Sequence, residues 1–203
     1  MSVAPQGRRA HSKLPDTNVV HPEVVAPGTR SGTAFRYVAA ALRISIGWVF
    51  LWAFLDKLFA LGFATGKDPA TGAVDYFGPA AWINGGSPTE GFLSFGTTGP
   101  LAGFYQGIAG ATWADWLFML GLAGIGIAFM SGIAMRVAAG AGALLLVMMW
   151  SAALPPENNP FMDDHLIYAL AMVALALAGA GYTLGLGRYW ERIPMVRDHG
   201  FLR

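Results

Sequence analysis

The chain has 203 residues, 55% of them hydrophobic and only 12% charged, with 27 Gly, 12 Pro and no Cys. A soluble domain carries about 25% charged residues, so lipid is the expected solvent here, and the length allows a handful of spans of about 20 residues each. A formal charge of +1 in short basic clusters gives no field to gather nucleic acid, and the lack of cysteine excludes disulfides, CxxC redox pairs and Cys-ligated zinc or iron–sulfur centres in this chain.

Residues 1–34 hold Arg8, Arg9, Lys13, Arg30 and four prolines with almost no apolar run, the composition of a flexible tail. The first apolar core begins only near Tyr37, too late for a secretory signal, so it is expected to remain as an anchor. Span one is expected over about 37–63, with Arg43 near its start and Asp56-Lys57 towards its end. Twenty residues of helix rise about 30 Å, so these charges can reach towards opposite interfaces while the residues between them cross the hydrocarbon. Residues 64–112 are rich in Gly, Pro and Thr and offer no window long enough to span, although Gly91 to Gly110 could form short surface helices.

From Trp116 to Leu154 the chain is apolar for nearly twice the hydrocarbon thickness and holds one charge, Arg136. A hairpin at Gly132 to Arg136 divides it into spans over 116–134 and 137–154, and Pro155-Pro156 stops the second. Asn159 as N-cap with Pro160 at the first helical position then opens a fourth span over about 160–186. The expected fold class is an all-α integral membrane protein. A four-transmembrane-helix bundle over 35–188 has a long outer loop at 64–112, with tails at 1–34 and 189–203. The tails and the Arg136 hairpin are basic, whereas the other two loops hold Asp68, Asp75, Glu90, Glu157 and only Lys67, so both termini are expected to be cytoplasmic.

That topology gathers Asp56, Lys57, Asp115, Asn158, Asn159, Asp163, Asp164 and His165 at the outer interface. On span one Trp48, Trp52 and Asp56 recur every fourth residue and share a face; on span four Asp164 and Tyr168, or His165, Tyr168 and Met172, do likewise. If the two faces meet, an aromatic slot lies beneath acid, ammonium and imidazole groups, the combination that a quinone needs when its ring is held and its oxygens change protonation. Trp48, Trp52, Tyr168 and Met172 would contact the ring, with Asp164 also in the binding set, His165 and Asp56 would exchange protons, and Lys57 would attract an anionic donor from outside.

Plainer readings stand beside these. Asp163 and Asp164 suit the first turn of a helix, where the macrodipole favours acids. Trp113, Trp116 and Trp190 suit an interfacial belt, and Arg43 suits snorkelling towards the inner side. Gly121, Gly124, Gly132, Gly140, Gly181 and Gly185 suit close helix packing, the last two as a GxxxG pair. His165 is the only histidine beside a span, so one chain cannot hold haem between two intramembrane histidines. Gly185-Leu186-Gly187 lacks the strand and third glycine of a nucleotide loop. No haem, metal or nucleotide is expected.

In order along the chain, Leu42-Arg43-Ile44 through Leu55-Asp56-Lys57-Leu58, Gly86-Ser87-Pro88-Thr89 with Gly91-Phe92-Leu93, Gly132 to Arg136, and Gly179-Ala180-Gly181 with Leu184-Gly185-Leu186-Gly187-Arg188 resemble the DoxX and DoxD families of small bacterial membrane proteins. The resemblance covers roughly residues 40–188, and the long outer loop leans towards DoxD. It implies the membrane subunit of a thiosulfate:quinone oxidoreductase, which couples oxidation of thiosulfate to tetrathionate with reduction of a membrane quinone. It also implies a bacterial plasma membrane location, quinone as substrate, and a second protein subunit or homo-oligomer as partner. Asp56, Lys57 and the acidic start of span four carry over as matched positions without assigned roles. The alternative is a non-enzymatic scaffold or accessory subunit anchoring a redox enzyme or respiratory complex. A transporter is disfavoured because no broken span pair carries central charges.

Overall fold

The computed structural model describes residues 30–157 and 159–202. Residues 1–29 of the tail expected over 1–34, Asn158, and Arg203 of the tail expected over 189–203 therefore lie outside the described residues. Those described are all-helical with no named strand; Lys67 and Val74 form an isolated bridge.

Helix α1, Arg30–Phe59, is rich in Ala, Leu, Ile, Phe and Trp and carries no proline. It begins seven residues before Tyr37, inside the stretch expected to be tail, and reaches about 45 Å. It ends where Ala60 and Gly62 take positive φ angles of 52° and 87°. The expected outer loop contains a 3-10 turn at Trp82–Asn84, α2 at Glu90–Phe95, a second 3-10 turn at Gly99–Leu101, and α3 at Ala102–Gly107. The short helices foreseen between Gly91 and Gly110 are therefore present. Helices α4, Thr112–Ser131, and α5, Met135–Ala152, form the expected hairpin, with left-handed Gly132 ending one and left-handed Ala134 starting the other.

Helix α6, Asp164–Leu177, differs from the expected fourth span of 160–186 at both ends. Its N-cap is Asp163, whose Oδ1 accepts from the Leu166 N–H at 3.2 Å, and not Asn159. The Asn159 side chain instead accepts from the Phe161 and Met162 N–H groups, which closes a turn around Pro160. At the other end Gly179, left-handed at φ 65°, breaks the helix before a 3-10 turn at Ala180–Tyr182. Fourteen residues rise about 21 Å, less than the hydrocarbon thickness. The segment expected to be a C-terminal tail folds as α7, Gly187–Trp190, α8, Pro194–Asp198, and a 3-10 turn at Gly200–Leu202. It is tied back by Trp190 Nε1 donating to Leu202 O, by Arg136 donating to Gly200 O, and by burial of Val196.

The helices pack mainly as two pairs, α1 with α4 and α5 with α6, joined through α4 and α5; α1 meets α6 only sparsely. Phe50, Met119, Leu122, Ile125, Phe129, Leu146, Met172 and Leu175 fill the core. Three helices, α1, α4 and α5, are long and apolar enough to cross a membrane. Large apolar side chains face outward along α4, α5 and α6, among them Leu117, Leu120, Ile127, Leu144, Leu170 and Leu177. Exposed apolar surface on this scale marks a protein whose helices meet something other than water.

Candidate functional site

The C-terminal end of α1 is built by its own termination. After Phe59 the backbone reverses through Ala60 and Gly62 and carries the Phe63 and Ala64 N–H groups onto the Asp56 carboxylate, at 3.0 and 2.9 Å. Asp56 is 1% exposed, so these two charge-assisted bonds occupy a carboxylate that water does not reach. Its partners are in the turn that follows α1. Lys57, about 100° further round the helix, is half-buried with Nζ 6.0 Å from the centre of the Phe118 ring on α4. No carboxylate lies at ion-pair distance from it among the described residues.

Depth separates these groups from the rim. Gly47 packs against Phe129 and Met130, and Gly126 packs against Leu51, so α1 and α4 run antiparallel. In that register α1 ends about 9 Å short of the start of α4. Asp115, in the first turn of α4, lies higher and is buried. Its Oδ1 accepts from Ser87 Oγ at 2.8 Å, Thr89 Oγ1 at 2.6 Å and the Thr89 N–H at 3.2 Å. Ser87 Oγ in turn accepts from the Glu90 N–H at 3.1 Å, which closes the turn that leads into α2. Sequence reasoning placed Asp115 in the polar cluster and missed this anchoring role; the available signal was Ser87-Pro88-Thr89-Glu90, a capping-box spacing.

At the start of α6, His165 Nδ1 lies 2.8 Å from Asp163 Oδ2 and 3.5 Å from Asp164 Oδ1. Asp163, Asp164 and His165 bring one possible ligand atom each within 4.8 Å of one another, so they are the described group able to hold a cation. Both carboxylates have their expected place at the helix start.

The structure separates the remaining expected residues. Trp48 and Trp52 stack along α1 with ring centres 5.7 Å apart, and Trp52 meets Phe63 edge-on at 5.1 Å. Trp48 is 46% exposed and Tyr168 43% exposed, whereas Met172 is fully buried and fills the notch left by Gly142 on α5. No ring contact or hydrogen bond joins the α1 aromatics to Tyr168 or Met172 among the described residues. The α1 and α6 faces meet only sparsely, because α1 packs mainly on α4 and α6 mainly on α5.

Two cavities open at the opposite end, where α1 starts and α6 finishes, and none of the eight expected site residues lines either one. Sequence reading makes this end simply basic; the structure is more particular. Arg43 is fully buried and does not snorkel. Its guanidinium donates to the Phe129 carbonyl, to Met130 O at 3.0 Å and to Leu184 O at 2.8 Å. Nearby, the Tyr182 hydroxyl donates to Glu191. Compared with known proteins, the chain matches no family model, no curated protein and no solved structure.

Proposed function

We propose that the chain is a four-span, membrane-embedded accessory subunit of a quinone-linked oxidoreductase, with both termini cytoplasmic. It supplies the bilayer platform while a partner subunit carries the electron- and proton-transferring groups. Thiosulfate:quinone oxidoreductase is the class to which the DoxD resemblance points. The observation that supports the accessory role is that Asp56 and Asp115, the buried acids at this end, are taken up by structural bonds. Asp56 accepts from Phe63 and Ala64, and Asp115 from Ser87 and Thr89. A group that exchanges protons with a substrate needs reach, and burial behind these bonds denies it to both carboxylates.

Direct quinone contact by this chain is the second reading, favoured by one feature. The Trp48 and Trp52 rings on α1 and the Phe63 ring in the turn after it form a partly exposed aromatic ladder, a surface on which a flat ring can stack. Purification in mild detergent separates the two readings. A stoichiometric partner with quinone absent from the isolated chain supports the accessory role; quinone retained by the isolated chain supports direct contact.

Turnover gives an independent check. In the assembled complex, His165→Ala and Lys57→Ala are expected to keep thiosulfate-dependent quinone reduction near the wild-type rate per assembled complex. A catalytic contact worth about 1.5–3 kcal/mol would slow it by about ten- to a hundredfold, and a loss of that size would contradict the accessory role.

A further inference from the structure

The larger of the two cavities, about 290 Å³, lies between the first turns of α1 and the turn that follows α6. That is the room of about ten waters, and it is part open to the outside. Phe35, Arg36 and Ala39 form one side, Tyr182 and Thr183 the other, and Arg188 stands at the start of α7. Arg36 Nε donates to Thr183 Oγ1 at 3.3 Å, which fixes the guanidinium against the wall and leaves its terminal N–H groups for another acceptor. Among the described residues, no carboxylate lies at ion-pair distance from Arg36 or Arg188. Glu191, the acid on the adjoining turn, already accepts from the Tyr182 hydroxyl.

We propose that this cavity binds a phosphate-bearing anion between Arg36 and Arg188, and that its occupant is the headgroup phosphodiester of an anionic membrane lipid. Guanidinium groups match phosphate oxygens in a planar, two-pronged geometry, and two of them facing one cavity without a counter-ion form an anion cradle. Inorganic phosphate shares that chemistry. The walls favour the lipid: Phe35 and Ala39 line the same space, and exposed Phe35 and Val38 continue it along α1, so acyl chains find apolar surface where the phosphate finds charge. This assignment rests on the membrane reading, under which the cavity falls at headgroup level.

Native mass spectrometry of the full chain tests it, in micelles titrated with phosphatidylglycerol, with phosphatidylcholine of the same acyl chains, or with inorganic phosphate. Phosphatidylglycerol is expected to bind about tenfold or more tighter than phosphatidylcholine. The double variant R36Q/R188Q is expected to lose that preference, and R36K/R188K to keep part of it. Displacement of phosphatidylglycerol by inorganic phosphate at the same two arginines would uphold the anion site and assign it to a soluble ligand. Equal retention of both lipids by the wild type, or an undiminished preference in a folded R36Q/R188Q, would overturn the proposal. A chain that does not partition into bilayers at all would instead refute the membrane reading.

Discussion

Arg43 carries one of the largest single-residue roles in the fold. A guanidinium buried in a helix bundle needs acceptors for its N–H groups and something to offset its charge. Phe129 and Met130 supply carbonyls from the last turn of α4, where the helix dipole is negative, and Leu184 supplies a third beyond α6. Nε alone is without a partner. Arg43→Met strips these carbonyls of their donor and is expected to lower stability by about 3 kcal/mol or more, whereas Arg43→Lys keeps the charge but spans fewer acceptors and is expected to lose less. Thermal unfolding in detergent reads both, and an unchanged midpoint for Arg43→Met would refute the assignment. In the sequence Arg43 looks like a snorkelling charge, because its acceptors are main-chain atoms far along the chain and no side-chain pattern marks them. Asp56 shows the same limit of the sequence. Its location at the end of span one was legible, but its partners are backbone N–H groups whose approach depends on left-handed Ala60 and Gly62.

Among the helices, glycines divide by what they face. A Cβ added at Gly47 would stand 2.7 Å from Met130 N, and one at Gly126 would stand 2.7 Å from Leu51 N, so these two set the α1–α4 spacing. Gly121, Gly124 and Gly140 have nothing within 4 Å, and Gly181 and Gly185 lie beyond α6, with Gly181 against Gly132, so they form no helical GxxxG face. Gly126→Ala is therefore expected to cost about 1–3 kcal/mol, while Gly124→Ala is expected to gain up to about 1 kcal/mol from helix propensity. Denaturation of the two variants side by side checks this, and equal effects would contradict the register. Glycine content announced close packing in the sequence, but which face each glycine presents depends on helix rotation, which composition does not encode. The hairpin of α4 and α5 and the short helices of the outer region were legible because Gly132 and the Gly- and Pro-rich stretch punctuate the chain. The start of α6 was not, since Asn159-Pro160 and Asp163 both suit an N-cap and only the chain path chooses between them.

The segment between α1 and α4 is pinned at separate points that titration can read. Ala70 and Thr71 N–H groups hold the exposed Asp68 carboxyl below its usual range, the Thr71 bond foremost. A depressed folded value means that this turn's contribution is present above the unfolded carboxylate pKa, near 3.9, and fades as pH falls through the lower folded value. Amide signals of Ala70 and Thr71 are therefore expected to hold steady from neutral pH down to about 4 and to move only below it. Movement centred above that range would contradict the turn.

For the whole molecule, the account depends on helices that cross a bilayer with the Ser87–Asp115 cap on one side and the Arg43 staple towards the other. Apolar length and loop charge pointed to this arrangement from the sequence, while the folded C-terminal segment and the cavities beside it did not show there, because they depend on turns meeting across long separations. Since the chain has no cysteine, a single one introduced anywhere is a unique label. Asn84, exposed in the outer region, and Met195, exposed on α8, lie at opposite ends of the bundle. Asn84→Cys and Met195→Cys can be treated in sealed, right-side-out cells with a membrane-impermeant maleimide, before and after permeabilisation. The account expects Asn84→Cys to react from outside at once and Met195→Cys only after permeabilisation; equal reaction of both from the same side would contradict it.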